Sequence, residues 1–183
     1  FRSERMRCNF GMPNPEGYRK SMRALRQAEK FRRPVICLVD TPGAFCGVEA
    51  ENKGQGLVIA EHLRTMATLK TPIISIIIGE GGSGGALALS LADRLIMMEN
   101  SYFSVISPEG AASILFKDSS MAQEAAKNLK LTASDLKSFG VVDNVIREPE
   151  NFSRFNMDAS VEEIRRVIRA ALRRLTRIPP ERL

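Results

Sequence analysis

Residues 71–93 read TPIISIIIGEGGSGGALALSLAD, and they contain the clearest strand pattern of the chain. Its first half, Ile73 to Ile78, is apolar apart from Ser75, which predicts a strand covered on both faces, as in a parallel sheet. A glycine loop at residues 79–85 and a helix from about Ser83 to Ala92 are expected to follow. A strand, a loop and a helix in this order are typical of α/β proteins.

Strands and helices alternate along the rest of the chain. Strands are predicted at residues 33–40 (a buried strand), at 94–99 and 102–107 (a pair) and at 141–146. Further helices are predicted at residues 16–30, 57–69, 121–129 and 132–139, with another entered at Pro108. This order predicts one α/β domain at residues 1–150.

Residues 151–183 are predicted to form a linker and a basic amphipathic helix, with the irregular segment covering residues 147–159. Ser160 and Glu163 have the spacing of a capping box, which places the start of this helix at Ser160. One side of the helix is an apolar seam that ends at Leu175, and arginines line the other side. We expect such a helix to dock on the domain or on a partner.

Composition and charge narrow the classes of function. The chain has 183 residues, 44% of them hydrophobic, and its longest apolar run is too short to span a membrane. Residues 1–33 and 151–183 are basic and flank a mildly acidic, glycine-rich centre, which differs from the basic reader surface of a nucleic-acid-binding protein. Neither nucleic acid nor a membrane is therefore expected as a partner.

The three cysteines are widely spaced and form no CxxC pair. They are Cys8, Cys37 and Cys46, and this pattern predicts neither a disulfide framework nor a metal site on the chain. Free cysteines without a framework are typical of a reducing compartment, so we expect a cytoplasmic location.

The five residues Gly81 to Gly85 match G-x-S-x-G at a strand–turn–helix junction, which is the context of a hydrolase nucleophile elbow. A serine nucleophile needs a base, and the only histidine is His62. His62 precedes Ser83 in the chain, whereas elbow enzymes run serine, acid, histidine. The order therefore disfavours Ser83 as a nucleophile.

The glycines themselves offer a second interpretation. A glycine-rich segment lets a ligand approach backbone N–H groups, and the helix that follows adds its own unpaired N–H groups and the positive end of its dipole. Together they can hold a phosphate or an oxyanion that exists only during a reaction. Close packing of a strand on a helix explains the glycines equally well.

Four motifs occur in order: NFGMPNPEGYRK (residues 9–20), DTPGAFCGVEAENKGQ (40–55), GEGGSGGALA (79–88) and SVISPEGAASILFKD (104–118). Together they closely resemble the α subunit of the carboxyltransferase component of bacterial acetyl-CoA carboxylase. The resemblance runs from about Asn9 to Pro149. It implies a crotonase-like fold, a spiral of β-β-α units.

The resemblance also implies partners and a reaction. The family's α subunit assembles as α2β2 with a β subunit that carries a zinc ribbon, and it works with biotin carboxylase and the biotin carboxyl carrier protein. The implied reaction moves a carboxyl group from carboxybiotin on the carrier protein to acetyl-CoA, a coenzyme A thioester, and gives malonyl-CoA for fatty acid synthesis. No metal is implied on this chain.

By resemblance, the backbone N–H groups of Gly84 and Gly85 form the oxyanion hole for the ureido oxygen of biotin, with Ser83 as a small spacer. The β subunit would hold the enolate of acetyl-CoA. The residues expected to bind substrate are Gly81, Gly82, Ser83, Ala86, Gly43, Ala44, Pro108 and Glu109. Gly43 and Ala44 are expected near Gly84 and Gly85, because both loops follow strands of one parallel sheet.

The chain departs from the family at two places. Phe45-Cys46 replaces an expected Tyr-Pro after DTPGA, which predicts a looser loop because a proline that fixes φ is absent. The family's long helical N-terminal segment is not in the sequence, which does not begin with Met, so we expect the N-terminal part of the domain to be missing.

Two other functions stay open. A stand-alone crotonase-like acyl-CoA hydratase or isomerase would place acidic side chains beside the oxyanion hole, and Ala86, Leu87 and Ala88 disfavour it. A chain that only scaffolds a β subunit would need no catalytic glycines.

Overall fold

The computed structural model describes residues 2–149 and 157–183, and its strands form one five-stranded sheet. The strands β1 to β5 of the described residues are Val35–Thr41, Ile73–Gly82, Arg94–Met98, Tyr102–Ser104 and Asn144–Ile146. The helices α1 to α9 of the same residues are Arg2–Arg7, Pro15–Lys30, Val48–Asn52, Gln55–Thr68, Ser83–Ser90, Pro108–Leu115, Ala122–Leu129, Ala133–Ser138 and Asp158–Leu175.

The sheet is parallel and has the order β1-β2-β3-β5. The short strand β4 pairs with the end of β2, where Glu80 lies opposite Tyr102 and Gly82 opposite Ser104. Sequence reasoning treated β3 and β4 as a pair, and this was wrong. After β3 the chain instead continues as β4 along the carboxyl end of β2. The elements β3, β4 and α6 therefore form one β-β-α unit.

One face of the sheet carries the helices that position the candidate site. Val39, Ile77 and Met97 point to this face and pack with Ala86 of α5 and Ala133 of α8. Further out, α2 and α4 pack together and cover α5. The helix predicted at residues 16–30 is confirmed as α2, and its buried residues Pro15, Tyr18, Met22 and Leu25 form an apolar seam.

The other face is covered by the C-terminal helix α9. Val167 and Leu175 of α9 pack on Ile74, Ile96 and Ile146 of three neighbouring strands, so the predicted docking on the domain is confirmed. The capping-box prediction was wrong. The helix begins at Asp158, makes no side-chain cap hydrogen bond, and buries Ser160 within its first turn. Residues 150–156 of the predicted linker lie outside the described residues, and the division at residue 150 stays a prediction.

The strand β1 is only half buried, which corrects the prediction of a buried strand. Within the part of the chain that the structure describes, it pairs with β2 alone and forms one edge of the sheet. Ile36 and Leu38 point to the same face as Ile74 but lie beyond the reach of α9, and Leu38 remains 58% exposed. Alternation of side chains across the sheet therefore leaves one face of this edge strand uncovered.

Candidate functional site

The segment predicted as a glycine loop is not a loop. Residues 79–82 continue β2, and α5 begins directly at Ser83. The strand extends this far because Gly81 is paired on both sides, with Thr41 of β1 and Phe103 of β4. The second, third and fourth motifs therefore meet at the carboxyl end of β2, and the loop after β1 lies beside the start of α5, as expected.

Most of the glycines are needed by close packing. A Cβ atom added at Gly79 would lie 2.5 Å from Asp40 Oδ1, and one at Gly81 would lie 2.6 Å from the carbonyl oxygen of Tyr102. At Gly82 and Gly85 the added atom would meet backbone of the loop after β1, at 1.9 Å from Pro42 O and 2.3 Å from Ala44 N. At Gly81, Gly82 and Gly85 the contacts are with backbone atoms and exclude any side chain, so packing alone accounts for these three glycines. At Gly79 the atom met is the end of the exposed Asp40 side chain, which can shift.

Gly84 is different. A Cβ atom added there would lie 3.8 Å from the nearest atoms of the half-buried Ile59, which is ordinary van der Waals contact. Gly84 is itself half-buried and lines a cavity. Packing therefore does not require a glycine at this position, and the missing side chain leaves the backbone open to close approach by a ligand.

The cavity beside Gly84 has a volume of about 320 Å³ and is mainly apolar. Its lining residues are Ser83, Gly84, Leu87, Phe103, Ser104, Val105, Leu129, Leu136 and Val141. The first N–H groups of α5 have no partner inside the helix, and they begin at this wall. Backbone donors and the positive end of a helix dipole are thus combined with an apolar enclosure.

Ser83 is exposed and has a left-handed backbone with φ of 54°. His62 could not serve it as a base, because its ring is fully buried and its Nε2 lies 2.7 Å from Ser21 Oγ. The hydrolase hypothesis therefore lacks its general base.

Other predicted site residues divide into three groups. Gly43 and Ala44 lie against Gly85, as expected. Gly81, Gly82, Gly85 and Ala86 are buried and do not line the cavity. Pro108 and Glu109 open α6 and are also absent from the lining, and Ser107 Oγ accepts a hydrogen bond from Gly110 N there, which is simple helix capping.

Two buried polar side chains that sequence reasoning missed hold the loop after β1. The Thr41 hydroxyl lies 2.8 Å from the carbonyl oxygens of Gly11 and Gly43 and accepts a hydrogen bond from Gly43 N. Gln55 Nε2 donates to the carbonyl oxygens of Pro13 and Phe45 at 2.9 and 2.8 Å. These bonds tie the first motif to the second.

In the Phe45-Cys46 segment, both the backbone N–H and the backbone carbonyl of Phe45 are hydrogen-bonded. Phe45 N donates to Pro13 O at 3.0 Å, and Phe45 O accepts from Gln55. The looser loop predicted from the missing proline stays a prediction.

The buried His62 predicts a loss of stability on the acid side. Burial lowers its pKa below 6.5, and the backbone of Ala88 opposes this shift only in part. The unfolded chain then binds a proton at a higher pH than the folded chain. The contribution of His62 to the free energy of unfolding is expected to be greatest above about pH 6.5. As the pH falls below that value, the free energy of unfolding should decrease by at most about 1.4 kcal/mol per pH unit.

Urea denaturation at a series of pH values from about 7.5 to 5 measures this slope. Because the chain has one histidine, the variant His62→Gln should flatten it. Equal slopes in the two proteins would contradict the prediction.

Two further features of the described residues bear on function. No helix among residues 2–149 and 157–183 is both long and apolar enough to cross a membrane. The same residues contain no group of three or more His, Cys, Asp or Glu side chains arranged to hold a metal ion.

The sequence and the structure were compared with those of known proteins. The sequence model of the family described as "Acetyl co-enzyme A carboxylase carboxyltransferase-like" matches residues 2–183. An acetyl-coenzyme A carboxylase carboxyl transferase subunit alpha of Clostridium botulinum is 56% identical over 176 residues, which are 96% of this chain and 64% of the relative. The chain thus spans somewhat less than two thirds of that relative's length.

Two other similar proteins are informative. A chain of Clostridium tetani named carboxyl transferase subunits beta/alpha is 57% identical over 155 residues, 85% of this chain and 27% of the relative. The structure of transcarboxylase 12S, a hexamer with methylmalonyl-coenzyme A and methylmalonic acid bound, superimposes with a TM-score of 0.77 at 24% identity, over 91% of this chain and 32% of that one.

These findings confirm the crotonase-like α/β fold and the resemblance carried by the four motifs. The chain belongs to the acetyl co-enzyme A carboxylase carboxyltransferase family, where its relatives are α subunits.

Proposed function

We propose that this chain is the α subunit of an acetyl-CoA carboxylase carboxyltransferase, in which it binds carboxybiotin presented by the biotin carboxyl carrier protein. The carboxyl group passes to acetyl-CoA and gives malonyl-CoA. The observation that carries the proposal is Gly84, a glycine that packing does not require, at the first turn of a helix and on the wall of an apolar cavity.

The cavity suits the ring system of biotin in size and character. A neutral bicyclic ring needs an apolar enclosure, and side chains such as Leu87, Phe103 and Leu136 provide it. The ureido oxygen of that ring needs hydrogen-bond donors at one wall. The N–H groups that open α5 supply them at Gly84.

Bound carboxybiotin would supply the carboxyl group, and negative charge would develop on its ureido oxygen as the N–CO2 bond breaks. The freed ring nitrogen would take the proton that the acetyl-CoA methyl group loses. The N–H groups of Gly84 and Gly85 are then fixed donors for that charge, and the α5 dipole adds to their effect. Because the donors are backbone groups already held by the fold, little reorganisation accompanies the reaction. The chain therefore needs no side-chain nucleophile of its own.

A β subunit is proposed to close the cavity and to bind acetyl-CoA. Two of its lining residues are exposed apolar side chains, Val105 at 79% and Val141 at 48%, and Phe139, two residues before Val141, is also exposed. Exposed apolar groups collected around a site are typical of a protein interface. The single beta/alpha chain of Clostridium tetani supports the pairing, and we propose an α2β2 assembly that works with biotin carboxylase.

The hydratase alternative gains no support from the site. Such an enzyme needs acidic side chains beside the oxyanion hole, and among the described residues none lines the cavity. Glu109 lies in the first turn of α6, which Ser107 caps, and it does not line the cavity.

A reverse assay tests the proposal. The chain is mixed with its β subunit, malonyl-CoA and a soluble biotin derivative, and release of acetyl-CoA is followed. We expect release that requires both chains and biotin. No release from a complex shown to assemble would contradict the proposal.

Ser83→Ala is expected to leave turnover within about threefold of wild type, because the backbone and not the hydroxyl acts. The reverse assay measures this change, with the kinetics of both proteins recorded at the same concentration of β subunit. A thousandfold loss would instead identify Ser83 as a nucleophile.

A further inference from the structure

The first motif contains Tyr18, which contacts the first turn of α5. Tyr18 of α2 is 1% exposed, and its hydroxyl donates a hydrogen bond of 3.2 Å to the carbonyl oxygen of Gly85. The proposed reaction does not use this residue.

The contact is tight and involves three separate segments. A Cβ atom added at Gly85 would lie 2.9 Å from the Tyr18 hydroxyl, 2.5 Å from the carbonyl carbon of Gly43 and 2.3 Å from Ala44 N. Gly85 is therefore enclosed by α2 on one side and by the loop after β1 on the other. Its peptide has little freedom to rotate while the Tyr18 bond is made.

The tyrosine ring is itself held in place. His62 lies against it edge-on, with ring centroids 6.0 Å apart and an interplanar angle of 79°, and Ser21 holds the histidine. Burial raises the pKa of Tyr18 to about 12, so its hydroxyl stays protonated and remains a donor at neutral pH. The hydroxyl can therefore donate to Gly85 throughout the neutral pH range.

The start of α5 needs such an external anchor. Its first three residues are Ser83, Gly84 and Gly85, and glycine is a poor helix former. Ser83 also has a left-handed backbone at the first position. Local preference therefore does not hold this turn in one conformation.

We propose that Tyr18 is a positioning residue that fixes the first turn of α5, so that its N–H groups point steadily into the cavity. The role rests on the proposed function, because it matters for catalysis only if those N–H groups hold the oxyanion. Tyr18 acts through Gly85 and does not touch substrate. The first motif then belongs to the site through this contact.

The variant Tyr18→Phe tests the proposal because it removes the hydroxyl and keeps the ring. We expect kcat of the reverse reaction to fall about tenfold or more, since small displacements of catalytic groups lower rates strongly. The KM for malonyl-CoA should stay within about twofold, because the β subunit binds that substrate.

Ser75→Ala is the matched control. The Ser75 hydroxyl is also buried and donates to a carbonyl of α5, but to Leu89 at the other end of the helix, at 2.6 Å. We expect a comparable fall in stability and no fall in kcat. If both variants lower kcat alike, the effect is general loosening of the helix and the proposal is overturned.

Amide hydrogen exchange decides the case without any assay of activity. In Tyr18→Phe the amides of residues 83–86 should exchange faster than in wild type, whereas Ser75→Ala should leave them unchanged. If wild type showed no transfer but this pattern held, the proposed function would fail and the anchor would stand. Unchanged exchange in Tyr18→Phe would overturn the anchor.

Discussion

Replacing Gly84 with valine is expected to lower the rate of carboxyl transfer about a hundredfold or more while the protein stays folded. The fold survives because a Cβ atom at this position meets only Ile59, at an ordinary 3.8 Å. The rate falls because a branched side chain on the first turn of α5 prevents the close approach of the ureido oxygen to the backbone donors. Loss of one such donor commonly has an effect of this size.

The reverse assay gives the rate, and sedimentation with the β subunit shows whether the complex still forms. Gly56→Val is the matched control, since Gly56 is the second residue of α4 just as Gly84 is the second residue of α5. Gly56 is exposed and has nothing within 4 Å of an added Cβ atom. Normal assembly with unchanged turnover in Gly84→Val would favour the scaffold hypothesis.

Gly82→Ala is expected to destabilise the fold by about 3 kcal/mol or more, an effect at the upper end for overpacking. The added methyl group would lie 1.9 Å from the carbonyl oxygen of Pro42 and 2.4 Å from its carbonyl carbon. Both are backbone atoms of a loop that Thr41 and Gln55 hold in place, so the loop cannot move aside without breaking their hydrogen bonds.

Urea denaturation measures the free energy of unfolding of this variant. Gly56→Ala provides the comparison, because the same added methyl group at an open helical position is expected to stabilise by about 0.4–1 kcal/mol. A change below about 1 kcal/mol in Gly82→Ala would contradict the packing argument and would imply that the loop after β1 adapts easily.

The elements that follow local periodicity were predictable. The seam of α2 repeats at the helical period and the first part of β2 is one continuous apolar run, so both elements were predicted, although β2 extends through Gly82 where a loop was expected. The pairing of β4 with β2 was not predictable, because it depends on contacts between segments that periodicity does not relate. The exposure of Leu38 was not predictable for a similar reason. Which strand lies at the edge of the sheet depends on how the strands pair, and the apolar run of β1 does not reveal it.

Within the candidate site, the sequence identified the glycines but could not sort them. Gly82 and Gly84 look alike in GGSGG, and only the position of Pro42 shows that the first is needed for packing and the second is not. Tyr18 did leave a signal, because a tyrosine on the buried seam of a helix needs a partner for its hydroxyl. The partner, Gly85, is 67 residues away in the sequence, and no local sequence pattern identifies it.

The Tyr18 bond has a consequence for partial unfolding. Proteins open in cooperative units, and an outer helix such as α2 can detach at a lower free energy than the central strands. When α2 detaches, Gly85 loses its hydrogen bond although β2 and β3 are still paired. The chain would then lose its catalytic competence before it loses its sheet. Mild heat or denaturant should therefore abolish turnover in a species that still has most of its secondary structure.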